Sequence, residues 1–133
     1  MNFDQFPKVS LDFMNHDHEE FIELINKIEV LLNDESNSKE QINALLSELQ
    51  THTVEHFARE EEAMQQYGFP PYQIHKMEHE RVLLGLQQQI EQFQKSTTND
   101  VLKRYVCQDI PMWFENHLGT MDTATANFIS MQQ

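Results

Sequence analysis

Apolar residues recur along most of the chain in alternating steps of four and three, the spacing of helices that bury one face. From about Asp12 to Asn33 the stripe is Met14, His18, Phe21, Ile25, Ile28 and Leu32. The run NDESNS ends this helix, and Ser38 with Gln41 resembles a capping box opening a second one. That helix, about Lys39 to Tyr67, places Ile42, Leu45, Leu49, His52, His56, Glu60, Ala63 and Tyr67 inward. Gly68 supplies a stop and Pro70-Pro71 forbid continuation, so a sharp turn leads to an antiparallel neighbour. The third helix, about Tyr72 to Lys95, carries His75, His79, Val82, Leu86, Ile90 and Phe93 on one face. A fourth begins near Asn99 or Asp100 after the loop STTND, with Leu102, Val106, Ile110, Trp113, His117 and Met121 inward. Pro111 predicts a kink or restart around Gln108 to Pro111. Residues 1 to 11 read as an arm bent at Pro7, and the tail with Phe128 and Ile129 as a short helical end. With no strand alternation and no repeat, the predicted class is all-α. The architecture is an up-down-up-down antiparallel four-helix bundle with an N-terminal arm, one domain over residues 1–133.

Ionisable residues interrupt these stripes where apolar ones are expected, and burying such groups unpaired is costly. His56 and Glu60 are four apart, as are His75 and His79, so each pair is separated by only about 40° around its helix. His18 lies near the start of the first helix, His56 and Glu60 near the end of the second. His75 and His79 open the third, and His117 comes late in the fourth. In an up-down bundle those four ends coincide. Asp122 follows His117 by five residues, about 140° in a regular helix, so both reach one centre only if the helix loosens near Gly119. His18, His56, His75, His79 and His117 with Glu60 and Asp122 exceed the four ligands of a tetrahedral zinc site. Two ions sharing the carboxylates as bridges account for all of them, and imidazole with carboxylate suits iron, manganese or zinc.

Composition narrows the partners. A formal charge of −13 with scattered Lys and Arg argues against nucleic acid or an anionic membrane surface. Cys107 is the single cysteine, which fits a reducing compartment. The acidic N-terminus lacks the apolar run of a secretory signal, and no stretch approaches spanning length, so a soluble cytoplasmic protein is expected. His75, Glu78 and His79 also match H-x-x-E-H, a metalloprotease pattern, but Glu78 should point away from both histidines. A haem held by two histidines leaves three inward ones unexplained, and no C-x-x-C-H is present. In the run Glu60-Glu61-Glu62 only Glu60 is in phase with His56, and the others read as a solvated face. His52 is inward and one turn before His56, a candidate for orienting a ligand, while His16 should face solvent.

Taken together, His18 within MNHDHEEF, the string HFAREEEAM from His56, the pair His75 and His79, and WFENHLGTMD from Trp113 to Asp122 resemble the bacterial hemerythrins. The resemblance spans nearly the whole chain. It implies a non-haem centre of two iron ions that binds dioxygen reversibly, for storage, delivery to an oxygen-consuming partner, or sensing. By it, His75, His79 and His117 would hold one iron and His18 and His56 the other. Glu60 and Asp122 would bridge them with a solvent-derived oxo or hydroxo group, leaving an open position for oxygen on the second iron. Trp113 and Phe114, with Met14 and Phe21, would wall the oxygen pocket; family members often carry leucine at the place of Phe114. The expectation is a carrier and not an enzyme. The competing expectation is a di-iron oxidoreductase acting on peroxide or nitric oxide, or a ferroxidase or iron buffer.

Overall fold

The computed structural model describes residues 1–34 and 39–133. After a 3-10 turn, Phe3–Gln5, helices α1 (Asp12–Asn33), α2 (Lys39–Gln66) and α3 (Tyr72–Lys95) follow one another as the first three rods of the bundle. The fourth rod is built in pieces. Helices α4 (Asp100–Arg104), α5 (Ile110–His117) and α6 (Thr123–Gln132) are joined by π-helical turns, Tyr105–Asp109 and Leu118–Asp122. The expected four-helix bundle is therefore the observed one, and no strand occurs among the described residues. The expected capping role of Ser38 falls on residues outside those described. No helix among the described residues is long and apolar enough to cross a membrane.

The core confirms the stripes of α1 and corrects those that follow. Met14, Phe21, Ile25, Ile28 and Leu32 are buried, and so are Ile22 and Leu24 beside them. In α2, Leu46, Thr53 and Met64 are buried, whereas Leu45, His52, Ala63 and Tyr67 sit at the margin. An apolar face is about 100° wide, and a single line of residues drawn along it can lie at its edge. Val82 and Ile90 of α3 are likewise marginal, while Leu86 and Phe93 are buried.

Local chemistry explains how each rod ends. Gly68 adopts φ +68, donating its N–H to the Gln65 carbonyl while Phe69 donates to Met64. This is the Schellman closure, and its apolar contact partners Phe69 and Met64 are both buried. Before Pro111 the chain widens into the first π turn, where the Ile110 N–H reaches the Tyr105 carbonyl five residues back. Proline lacks an N–H and its ring presses on the preceding turn, so a wider turn relieves both problems without breaking the rod. The expected interruption is present as a bulge and not as a restart. The N-terminal arm folds back onto the bundle: the Met1 amino group donates to Asn26 Oδ1 and the Asn26 amide donates to the Met1 carbonyl.

Gly68 and Gly85 make a matched pair for testing this account, because a Cβ at either would meet nothing within 4 Å. Gly68→Ala should destabilise the protein by about 1–2 kcal/mol, the cost of left-handed backbone for an L-residue. Gly85→Ala, inside α3, should stabilise it by about 1 kcal/mol through helix propensity alone. Urea unfolding of the two variants checks both signs.

Candidate metal centre

Each rod contributes to one buried cluster at the end of the bundle that holds the α2–α3 turn. His18 comes from α1, His56 and Glu60 from α2, His75 and His79 from α3, His117 from α5, and Asp122 from the π turn that follows it. All seven residues are at most 4% exposed. The 118–122 π turn supplies the loosening that His117 and Asp122 require, since i→i+5 bonding brings residues five apart onto one face. Thr120 and Thr123 donate their hydroxyls to the Asn116 and Leu118 carbonyls within this stretch. The same shift buries Leu118, and Met121, expected inward, is only half-buried.

The donor atoms divide into two sets that share carboxylates. Glu60, His75, His79, His117 and Asp122 each offer an atom within 4.8 Å of the others, and His18, His56 and Glu60 form a second such group. Glu60 Oε1 lies 3.3 Å from His79 Nε2 and 3.6 Å from His75 Nε2. Its other oxygen, Oε2, lies 2.5 Å from His56 Nε2 and 3.8 Å from His18 Nε2. Asp122 Oδ1 is 3.1 Å from His117 Nε2 and 3.2 Å from His75 Nε2, while Oδ2 is 3.0 Å from His18 Nε2. Each carboxylate thus turns one oxygen to the three-imidazole set and one to the two-imidazole set.

A cation fits this arrangement. Nε2 of His18 and His79, Oε1 of Glu60 and Oδ1 of Asp122 are buried without a hydrogen-bond partner, although neighbouring donors stand close. They converge on shared centres, close to one another but without hydrogen-bond geometry. Buried polar atoms left this way are costly, and metal coordination removes the cost. The electrostatics agree. Burial and Asp122 push the Glu60 carboxyl up, but His56 and His79 outweigh them and hold it at about 2. Burial also pushes Asp122 up, and His117, His18 and His75 hold it well below the usual range. Burial pushes His56 and His117 down, and Glu60 and Asp122 respectively outweigh it, leaving both imidazoles raised. Two anionic carboxylates at the middle of five imidazoles draw in positive charge, as protons or as metal.

Around the cluster stand partners that stripe reading does not reveal. His75 Nδ1 lies 2.8 Å from Thr125 Oγ1, and His79 Nδ1 lies 2.9 Å from Glu61 Oε2. With Nε2 facing the centre, both Nδ1–H groups donate outward, fixing tautomer and ring angle. Glu61 is therefore not part of the solvated face expected for it. It lies one residue out of phase, but its long side chain reaches across to α3. Asp17, 3% exposed, accepts a bidentate pair from Arg59 at 2.6 and 2.9 Å. His52 stays outside the cluster, its Nε2 3.1 Å from the Asp17 carbonyl and its Nδ1 3.4 Å from Glu20. His16 is exposed beside Glu20, as expected. Glu78 points away from the histidines, as expected, and binds Arg81 and Trp113.

Aromatic rings enclose the rest. Phe57 stacks on His79 at 3.8 Å, Trp113 on His117 at 4.7 Å, and Phe114 meets His18 edge-on at 5.4 Å. Phe6 from the arm covers Phe114 at 5.1 Å, a contact no periodicity indicates. Phe21, Phe57, Trp113 and Phe114 with His56, His117 and Asp122 line a void of about 10 Å³ against the cluster. Met14, expected in this wall, is fully buried but does not line the void.

Comparison with known proteins agrees with this geometry. A bacteriohemerythrin of Aquifex aeolicus (strain VF5) is 28% identical over 120 residues, covering 90% of this chain and 89% of that one. A second, from Stenotrophomonas maltophilia (strain R551-3), is 27% identical over 120 residues, covering 90% and 74%. The crystal structure of wild-type hemerythrin matches the fold with a TM-score of 0.80 at 21% identity, over 92% of this chain and 91% of that one. Residues 9–126 match the family described as the hemerythrin HHE cation binding domain, a description that names cation binding and no reaction. That match and the buried His/Glu/Asp cluster together support a non-haem iron protein. The chain belongs to the hemerythrin family.

Proposed function

We propose that this protein, acting as one domain over residues 1–133, binds dioxygen reversibly at a pair of iron ions and is not an enzyme. His75, His79 and His117 would hold one ion, His18 and His56 the other, and Glu60 and Asp122 would bridge them. Support for two ions comes from the way both carboxylates split their oxygens between the two imidazole sets. When bound, a ferrous pair supplies two electrons to dioxygen and recovers them on release.

The observation that carries the reading is the void. Its volume, about 10 Å³, is at the threshold for holding one water-sized molecule, which favours a small occupant over an organic substrate. Its wall favours carriage over turnover. Reduction of peroxide or nitric oxide consumes protons, and among the described residues the only ionisable side chains lining the void are His56, His117 and Asp122, all of the cluster itself. Phe21, Phe57, Trp113 and Phe114 make up the remainder, an apolar lining that disfavours water. A cluster richer in neutral imidazole than in carboxylate also stabilises highly oxidised iron less, which disfavours splitting the oxygen bond. Outside the void, Thr125 and Glu61 hold His75 and His79 in the orientation a metal needs.

Loading metal-free protein anaerobically with ferrous iron should give two ions per chain. Admitting oxygen and then purging with argon should produce and reverse an optical change. One ion per chain, or sustained oxidation of a reductant in air, would overturn the reading. Thr125→Val, nearly isosteric, should weaken iron binding about 10- to 100-fold in a chelator competition, because His75 Nδ1–H loses its acceptor.

A pH profile of the metal-free protein gives a further test. The lowered carboxylates add stability that is fully present above the ordinary value of 4.5 for glutamate and is lost as pH falls toward about 2. The raised imidazoles of His56 and His117 add stability that is fully present below 6.5 and is lost as pH rises through their folded values. Thermal stability of metal-free protein should therefore peak between these limits and decline on the alkaline side. Metal loading should abolish the alkaline decline, since a metal takes the neutral imidazole.

A further inference from the structure

The H-x-x-E-H match leaves Glu78 without a part in the cluster, and a second cavity leaves a cleft without an occupant. The cleft, about 360 Å³, opens between α3 and the fourth rod. Arg81, Tyr105 and Asp109 stand among its lining, and buried Leu86 and Ile110 form part of its wall. It and the void against the cluster have two lining residues in common, Phe21 and Trp113. Those two rings stand between the cleft and the void.

The two halves of the partition are held differently. Phe21 is 6% exposed and stacked on Phe114 at 5.4 Å, locked from within the core. Trp113 is half-buried, stacked on His117 on its inner side and tethered on its outer side. The tether is the Trp113 Nε1–H, which donates to Glu78 Oε1 at 2.9 Å. Glu78 is in turn clamped by Arg81, whose Nε and Nη2 donate to its two oxygens at 2.9 and 2.5 Å. Charge-assisted bonds of this kind are the stronger ones, yet the Arg81 side chain is 66% exposed, so solvent can compete for it. A ring held by stacking inside and by one breakable bond outside can swing; a ring enclosed by core cannot.

We propose that Trp113 is the gate between the cleft and the void, and that Glu78 and Arg81 are its latch. Small neutral molecules would exchange with the site along this route. The route rests on the reading that such a molecule reaches the metals, but the latch does not. Glu78 and Arg81 are positioning residues, acting through Trp113. Glu78 has this role because it stands one residue before His79, where its side chain leaves the cluster and meets the fourth rod.

Trp113 is the single tryptophan of the chain, so its fluorescence reports the gate alone. In metal-free protein, Glu78→Ala should raise collisional quenching by acrylamide and by dissolved oxygen, with Glu78→Gln, which keeps an acceptor, and Arg81→Ala falling between it and the parent. Unchanged quenching in Glu78→Ala with native helical content overturns the latch. In iron-loaded protein, stopped flow should show oxygen association and dissociation both faster by a common factor, about tenfold for loss of one charge-assisted bond, with affinity unchanged. Rates that change by different factors would mean that Glu78 tunes the site and not the path, which overturns the gate. Should the loaded protein fail to bind oxygen reversibly, the proposed function falls and the quenching measurement alone decides the latch.

Discussion

Two carboxylates and five imidazoles buried at one end of a small bundle are the constraint to which the remaining structure answers. Glu60 is 1% exposed and Asp122 likewise 1%, and desolvating either anion alone is costly. The cost falls only if positive charge arrives on both sides of each carboxylate. That requires donors from all four rods at one depth, so the rods must end together and cross little. The tight α2–α3 closure at Gly68 and Phe69 brings the His56/Glu60 end of one helix beside the His75/His79 end of the next. Toward the other end the interior is apolar, with Ile28, Leu32, Ile42, Leu46, Phe93 and Leu102 buried. That end stabilises a bundle whose functional end is polar inside.

The fourth rod shows what the constraint does to regular structure. A continuous α-helix would set Asp122 about 140° from His117, facing away from the cluster. The Leu118–Asp122 π turn removes that offset, and the Tyr105–Asp109 turn absorbs Pro111 ahead of it. Both departures from α geometry lie in the one rod that must deliver two donors separated by five residues. Local irregularity at a functional site, with regular helices elsewhere, is the expected pattern when chemistry and propensity disagree.

Much of this could be read from spacing, because four-residue steps on a helix place side chains in space almost by themselves. The boundaries of α1 and α3, six of the seven inward groups, and the need for loosening if Asp122 is to join His117 all follow from period 3.6 and from turn residues. What spacing does not carry is how neighbouring rods are rotated against each other. Leu46 and Met64 are deeper than Leu45 and Ala63 for that reason, and Glu61 reaches His79 because α3 lies on its side of α2. Thr125 is invisible for the same cause: a threonine at the far side of a π turn has no periodic mark, and its partner His75 is 50 residues away. Asp17 and Arg59 carried a weaker hint. A carboxylate directly before an inward histidine is half-inward, and burial of such a group calls for a cation.

The outer partners are unevenly distributed, and the unevenness bears on how the proposed site would work. On the three-imidazole side, His75 is fixed by Thr125 and His79 by Glu61 and by Phe57 stacked on it. On the two-imidazole side, His56 Nδ1 is buried with no partner, and His56 also borders the void. Ligands without an outer hydrogen bond are less rigidly aimed, and they reorient at lower cost when a neighbouring position gains or loses an occupant. In the proposed function, exchange of a small molecule would therefore fall to the half of the cluster whose own ring is freest. The half that carries three imidazoles would serve as the fixed reference against which the other adjusts. Phe114 packs on His18 of that exchanging half, while Trp113 with its Glu78 tether stacks on His117 of the fixed half and borders the same void.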